Sequence, residues 1–123
     1  MAAQARAAEL QTSRKLVNDA VNRYRQAFEA RDMEALKTLW PSLSRNEQNS
    51  FQNFFRIVRT VRLQLIPAGE VDVTANGAVG RYRRTVNATD ERGSLPAQEQ
   101  TVRITFRKSG DQMLIDAIEA VGR

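Results

Sequence analysis

Residues 51–65 read FQNFFRIVRTVRLQL, and the hydrophobic spacing changes within them. Phe51, Phe54, Phe55 and Val58 recur at i, i+3, i+4 and i+7, the stripe of an amphipathic helix. From Val61 the spacing drops to two. Val61, Leu63 and Leu65 alternate with Arg62 and Gln64, as in a half-buried strand, until Pro67 closes it. The change of period divides the chain into a helical first half and a stranded second half. That order predicts an α+β domain with helices packed on one face of an antiparallel sheet.

Working back from residue 51, Ser44-Arg45-Asn46-Glu47 has the spacing of a capping box, with the Ser oxygen and the Glu carboxylate each meeting a free amide. Pro41 ends an earlier short helix that carries Met33, Leu36, Leu39 and Trp40, and Asp32 is placed to cap its start. The first helix shows its stripe at Leu16, Val17, Ala20, Val21, Tyr24, Ala27 and Phe28. Residues 1–12, rich in Ala and Gln without apolar periodicity, read as a linker or frayed helical lead-in to a domain over 13–123.

Working forward, Val71 and Val73 begin a strand that meets Asn76-Gly77, a two-residue hairpin signal. The next strand holds GRYRRTV, residues 80–86, and residues 87–97 read as a polar loop. Val102, Ile104 and Phe106 alternate with Thr101, Arg103 and Thr105, and Ser109-Gly110-Asp111 turns the chain into a last strand from Met113 to Val121. The whole predicts three N-terminal helices on the concave face of a curved antiparallel sheet, a cone-shaped α+β barrel.

Composition narrows the chemistry. The chain has 123 residues, a net charge of +5, 16 arginines against 3 lysines, and neither Cys nor His. Disulfides and thiolate chemistry are excluded, and the usual general base and commonest metal ligand are missing. No metal or cofactor is expected. No apolar run reaches the length of a membrane span, so no membrane partner is expected. The first dozen residues lack the apolar core of a secretory signal, and a cytoplasmic location is the default expectation.

Parity sorts the arginines. Arg81 and Arg83 share a face with Arg62, Arg103 and Arg107, interleaved with Asp72, Glu99 and several threonines. This reads as the wet face of a half-buried sheet. It is also the candidate anion-binding set, Arg62, Arg81, Arg83 and Arg103. Nucleic acid is disfavoured as its partner, because no aromatic falls on that face for base stacking. Arg84 stands apart, sharing the helix-facing parity with Tyr82. A buried arginine needs a partner or an anion, unless it snorkels to water from the strand end. Asp116, between Ile115 and Ala117, is the candidate partner, although its strand is apolar on both parities and leaves the outward direction open.

The segment YRQAFEARDMEALKTLW, residues 24–40, together with the closing FRKSGDQMLIDAI, resembles the nuclear transport factor 2-like (NTF2-like) superfamily over residues 14–121. The lead-in and LWPSLS resemble bacterial versions appended to larger proteins. Within the superfamily, segment 24–40 is most similar to ketosteroid isomerase, and the resemblance implies an oxyanion-hole role for Tyr24. The departures are specific. The segment PSLSRNEQNS offers no Asp as base, its only acid is Glu47, and no second acidic donor stands at residues 101–106. The superfamily's His-Asp dehydratase site is excluded by the absence of His.

These readings predict a core and pocket lining of Tyr24, Phe28, Trp40, Phe55, Leu63, Tyr82, Val102, Ile104 and Phe106, with Arg84 and Asp116 as its polar groups. The leading expectation is a non-catalytic module that binds a small apolar or anionic molecule, or associates as a homodimer through the sheet. The alternative is a cofactor-independent isomerase or dehydratase using Tyr24 with Asp116. A third is an anion or nucleic-acid binder acting through the arginine face.

Overall fold

The computed structural model describes the backbone of residues 2–121 and side chains from Arg6 onward. Three helices precede six strands: α1 (Ala2–Glu29), α2 (Met33–Leu39), α3 (Arg45–Ile57), β1 (Thr60–Pro67), β2 (Asp72–Val73), β3 (Gly77–Asp90), β4 (Gly93–Ser94), β5 (Gln98–Ser109) and β6 (Gln112–Ala120). The strands form one antiparallel sheet in the order β1-β3-β5-β6, with short β2 and β4 pairing to β3. Among the described residues no helix is long and apolar enough to cross a membrane.

The segment over 2–12 takes the helical form of its two readings, continuous with α1. From Val17 onward, the stripe Val17, Ala20, Tyr24, Ala27 and Phe28 is buried. The helix ends where Arg31 adopts φ 56, letting the amides of Arg31 and Asp32 bond back to the carbonyls of Phe28 and Ala27 at 3.0 and 2.9 Å. Asp32 then caps α2, accepting from the Ala35 amide at 3.1 Å. Ser44 and Glu47 form the reciprocal capping box that opens α3.

The polar composition of 87–97 hid a strand. Asn87, Ala88 and Thr89 pair with Arg62, Val61 and Thr60, so β3 runs on to Asp90 and returns through β4. Long-range pairing with β1 overrides local polarity here, and Ala88 is buried. The hairpin at Asn76-Gly77 is displaced by one residue. The Thr74 amide bonds the Gly77 carbonyl at 2.9 Å, making Ala75 and Asn76 the corner. Gly77 serves a different need, since a Cβ there would run into the carbonyl of Phe106 on β5.

Leu63, Tyr82, Val86, Val102, Ile104, Phe106 and Ile115 fill the space between sheet and helices. Arg62, Arg81, Arg83, Arg103 and Arg107 are exposed on the opposite face. Three of them pair with acids: Arg83 with Glu99 at 3.4 Å, Arg103 with Glu119 at 3.2 Å and Arg107 with Asp116 at 3.9 Å.

Candidate functional site

Arg84 sits on β3 at the open side of the cone, between Leu65 of β1 and Gln100 of β5 in register. Its Nε donates to the Tyr24 hydroxyl of α1 at 3.2 Å, and its Cζ lies 5.1 Å from the centroid of the Phe28 ring. The side chain is half-buried and has no carboxylate within ion-pair distance among the described residues. A cation partly withdrawn from water, set over a ring and without an ion-paired carboxylate has the chemistry to accept an anion.

A cleft of about 410 Å³ opens beside it, between α3 and the sheet, walled by Phe28, Phe51, Phe54 and Val86 and rimmed by Asn46, Glu47, Ser50 and Gln98. A recess of about 140 Å³ adjoins it, lined also by Tyr24, Trp40, Gln100 and Val102 and sharing Glu47, Phe51 and Arg84 with the cleft. The walls follow from α3. Its Phe51, Phe54 and Phe55 surround Phe28 with ring centroids 6.0, 5.8 and 5.4 Å away, and only Phe55 of the three is fully buried. Phe51 and Phe54 therefore offer aromatic surface to the cleft. Glu47 has its Oε1 held by the Ser44 amide and hydroxyl at 3.2 and 2.9 Å.

A larger groove, about 540 Å³, runs between α1 near Leu10 and the Val73–Ala75 corner. Its charged groups, Arg6, Glu9 and Lys108, are exposed, so it lacks the partly desolvated charged group found beside the cleft. Among the described residues no three acidic side chains gather as a metal site.

Of the predicted lining, Tyr24, Phe28, Trp40, Arg84 and Val102 border the cleft or its recess. Leu63, Tyr82, Ile104 and Phe106 are instead packed into the core, and Phe55 closes beneath α3. Asp116 is a correction. β6 carries a bulge in which Thr105 faces Ala117 and Phe106 faces Ile115, leaving Asp116 unopposed. The extra residue turns its carboxylate to the outer face, toward Arg107, while its carbonyl accepts from Ser42 Oγ at 2.7 Å. Asp116 and Tyr24 are therefore on opposite sides of the sheet. Phe51, Phe54 and Glu47 are the lining residues the sequence reading assigned only to helix packing and capping. The width of the α3 stripe, three phenylalanines where one buried side chain meets the core, is the signal that marks them.

Tyr82 carries a second polar feature. Its ring lies over Gly80, where a Cβ would approach the ring within 2.8 Å, and its hydroxyl is buried with no hydrogen-bond partner among the described residues. Burial pushes the phenol pKa up.

A helical layer on a curved antiparallel sheet, open at one end beside Arg84, defines an α+β cone. It is the NTF2-like fold. Similar solved structures include an NTF2-like superfamily protein from Salmonella enterica, at TM-score 0.72 and 19% identity over 92% of each chain. A function-unknown protein from Mycobacterium tuberculosis aligns at TM-score 0.75 and 13% identity over 95% of this chain and 75% of its own. A candidate dehydratase of the NTF2-like family from Streptomyces avermitilis aligns at TM-score 0.67 and 20% identity, covering 89% and 96%. No family model and no curated protein matches the chain in sequence.

Proposed function

We propose that this domain is a non-catalytic binding module whose ligand enters the cleft between α3 and the sheet and meets Arg84. The observation that carries the reading is Arg84 itself, half-buried, over the Phe28 ring and bonded to Tyr24, with no carboxylate within ion-pair distance among the described residues. Aromatic walls next to one cation suit a small, largely apolar molecule with a polar end. Native mass spectrometry of the purified protein tests this. A reproducible small-molecule adduct is expected, lost on Arg84→Gln. Bare protein, together with no thermal stabilisation by any member of a fragment library, would overturn it.

A cofactor-independent enzyme is the second reading, favoured by one observation: Tyr24 and Glu47 line the same recess. The Streptomyces neighbour's description as a candidate dehydratase fits this reading. It lacks support as acid-base chemistry, because Glu47 Oε1 is held by Ser44 and the carboxylate first paired with Tyr24, Asp116, faces away. Turnover abolished equally by Tyr24→Phe and Glu47→Gln, with the fold intact, would establish it over simple binding.

The association part of the proposal uses the outer face. Three of its five arginines pair with neighbouring acids, and Ile66 is 53% exposed among them. A dimer paired through this face is expected in sedimentation, and Ile66→Arg is expected to dissociate it. A monomeric parent protein would remove this part.

A further inference from the structure

The lining of the cleft is selective about charge and shape, and both point to one chemical class. Two parts of the Arg84 guanidinium are engaged, Nε by the Tyr24 hydroxyl and Cζ over the Phe28 ring. What remains is the edge bearing the two terminal nitrogens, the edge that pairs with a planar two-oxygen group through two parallel bonds.

Net charge limits the ligand further. Cleft and recess together are lined by one cation, Arg84, and one acid, Glu47. A singly charged anion neutralises Arg84. Any anion here also meets Glu47, so a phosphate monoester, carrying about −1.5 to −2 at neutral pH, exceeds what one arginine offsets and is repelled more than a singly charged group. The first turn of α3 borders the cleft, but two of the four amides at its start are already engaged. Its Glu47 amide is taken by Ser44 Oγ, and the carboxylate of Glu47 covers the Ser44 amide.

The apolar half is aromatic. Phe28 and Phe54 stack with ring centroids 5.8 Å apart, and Phe51 stands nearly perpendicular to Phe28 at 84°. A flat ring meets faces and edges there in the arrangements aromatic pairs prefer. Within about 410 Å³ there is room for one ring and a short linker to the charge.

We infer that the cleft takes an aryl monocarboxylate, its carboxylate paired with the free edge of Arg84 and its ring among Phe28, Phe51 and Phe54. This rests on the cleft being the ligand site, as proposed above, and adds the ligand's class.

The test is a calorimetric or ligand-observed NMR titration with phenylacetate, 2-phenylethanol and phenyl phosphate, three probes that share a ring and differ in the polar end. Phenylacetate is expected to bind about tenfold or more tighter than either of the others, the scale of a hydrogen bond to a charged group. Arg84→Gln is expected to bring phenylacetate down to the level of 2-phenylethanol, so that acid and alcohol bind that variant alike. Should that variant not fold, Arg84→Lys decides, since it keeps the charge and loses the two-point edge, and a loss of about threefold or more for phenylacetate alone is expected. Equal binding of acid and alcohol, or tighter binding of phenyl phosphate, overturns the carboxylate assignment and leaves the cleft as the site. If none of the three binds the parent protein, the cleft reading falls and this one with it.

Discussion

The hydrogen bond from Arg84 Nε to the Tyr24 hydroxyl, 3.2 Å long, ties the middle of the sheet to the first helix at the mouth of the cone. It orients the guanidinium, because a long flexible side chain fixed at Nε and on the Phe28 ring has few rotamers left. Tyr24 is 1% exposed, so its hydroxyl has little access to replacement water.

Tyr24→Phe removes that tie. A cost of about 1 kcal/mol in unfolding free energy is expected, the usual net worth of one hydrogen bond. Urea denaturation measures it. Binding of phenylacetate is expected to weaken as well, because Arg84 then keeps only its Phe28 contact and the ligand must supply the rest of its ordering. Unchanged stability and unchanged affinity together would mean that the bond orients nothing.

Tyr82 presents the opposite case, a buried hydroxyl with no partner among the described residues. Tyr82→Phe is expected to stabilise the fold by about 1 kcal/mol, since the desolvation cost of the orphan hydroxyl disappears and the ring stays. A pH signature accompanies it. The folded protein holds the Tyr82 proton above the ordinary phenol value of 10.0, whereas the unfolded chain releases it there. Below that value both states keep the proton and this residue adds no slope. Above it the unfolded state binds fewer protons, so stability falls as pH rises. Comparing parent and Tyr82→Phe at neutral pH and near pH 11 checks both parts, and the variant is expected to lose less on going alkaline.

How far the sequence carried can be judged from particular segments. The shift from period 3.6 to period 2 near Val58 gave fold class and helix order, because each helix is amphipathic and Asp32, Pro41 and the Ser44 capping box mark the boundaries between them. Parity placed Arg84 inward and the other arginines outward, because β3 has no bulge between Gly80 and Val86. Asp116 escaped parity for the converse reason, a bulge in its own strand that nothing local announces. The strand over 87–90 escaped because its order comes from β1, more than twenty residues earlier. The cleft was half legible. Its aromatic composition could be read from spacing, but the stand-off of α3 that leaves Phe51 and Phe54 half-exposed is a tertiary property.

Gly77→Ala tests the close approach of β3 to β5. The backbone carbonyl of Phe106 occupies the position a Cβ would take, and backbone cannot swing aside as a side-chain tip can. Separation of two paired strands is the only relief, so a loss of about 3 kcal/mol or more is expected, placing it among the most damaging single changes. Chemical denaturation decides. A near-neutral effect would mean that the β3–β5 register relaxes freely at this end.

Arg31 closes α1 from a backbone conformation that side chains disfavour, with φ 56 where glycine is usual. Its guanidinium gives something in return, donating from Nη1 to the Val58 carbonyl at 2.8 Å and joining the end of α1 to the end of α3. The two terms separate by substitution. Arg31→Ala keeps the disfavoured backbone and loses the bond, so it is expected to cost about 1 kcal/mol. Arg31→Gly loses the same bond but relieves the backbone by roughly 1–2 kcal/mol, so it is expected to be at least as stable as the parent. Thermal unfolding of the three proteins side by side gives the answer. Glycine above alanine by about 1 kcal/mol means that the left-handed position is strained and the Val58 bond offsets it. Equal stabilities would mean that the turn at residues 30–32 reshapes itself once the guanidinium is gone, and the helix end is set by Asp32 and its cap instead.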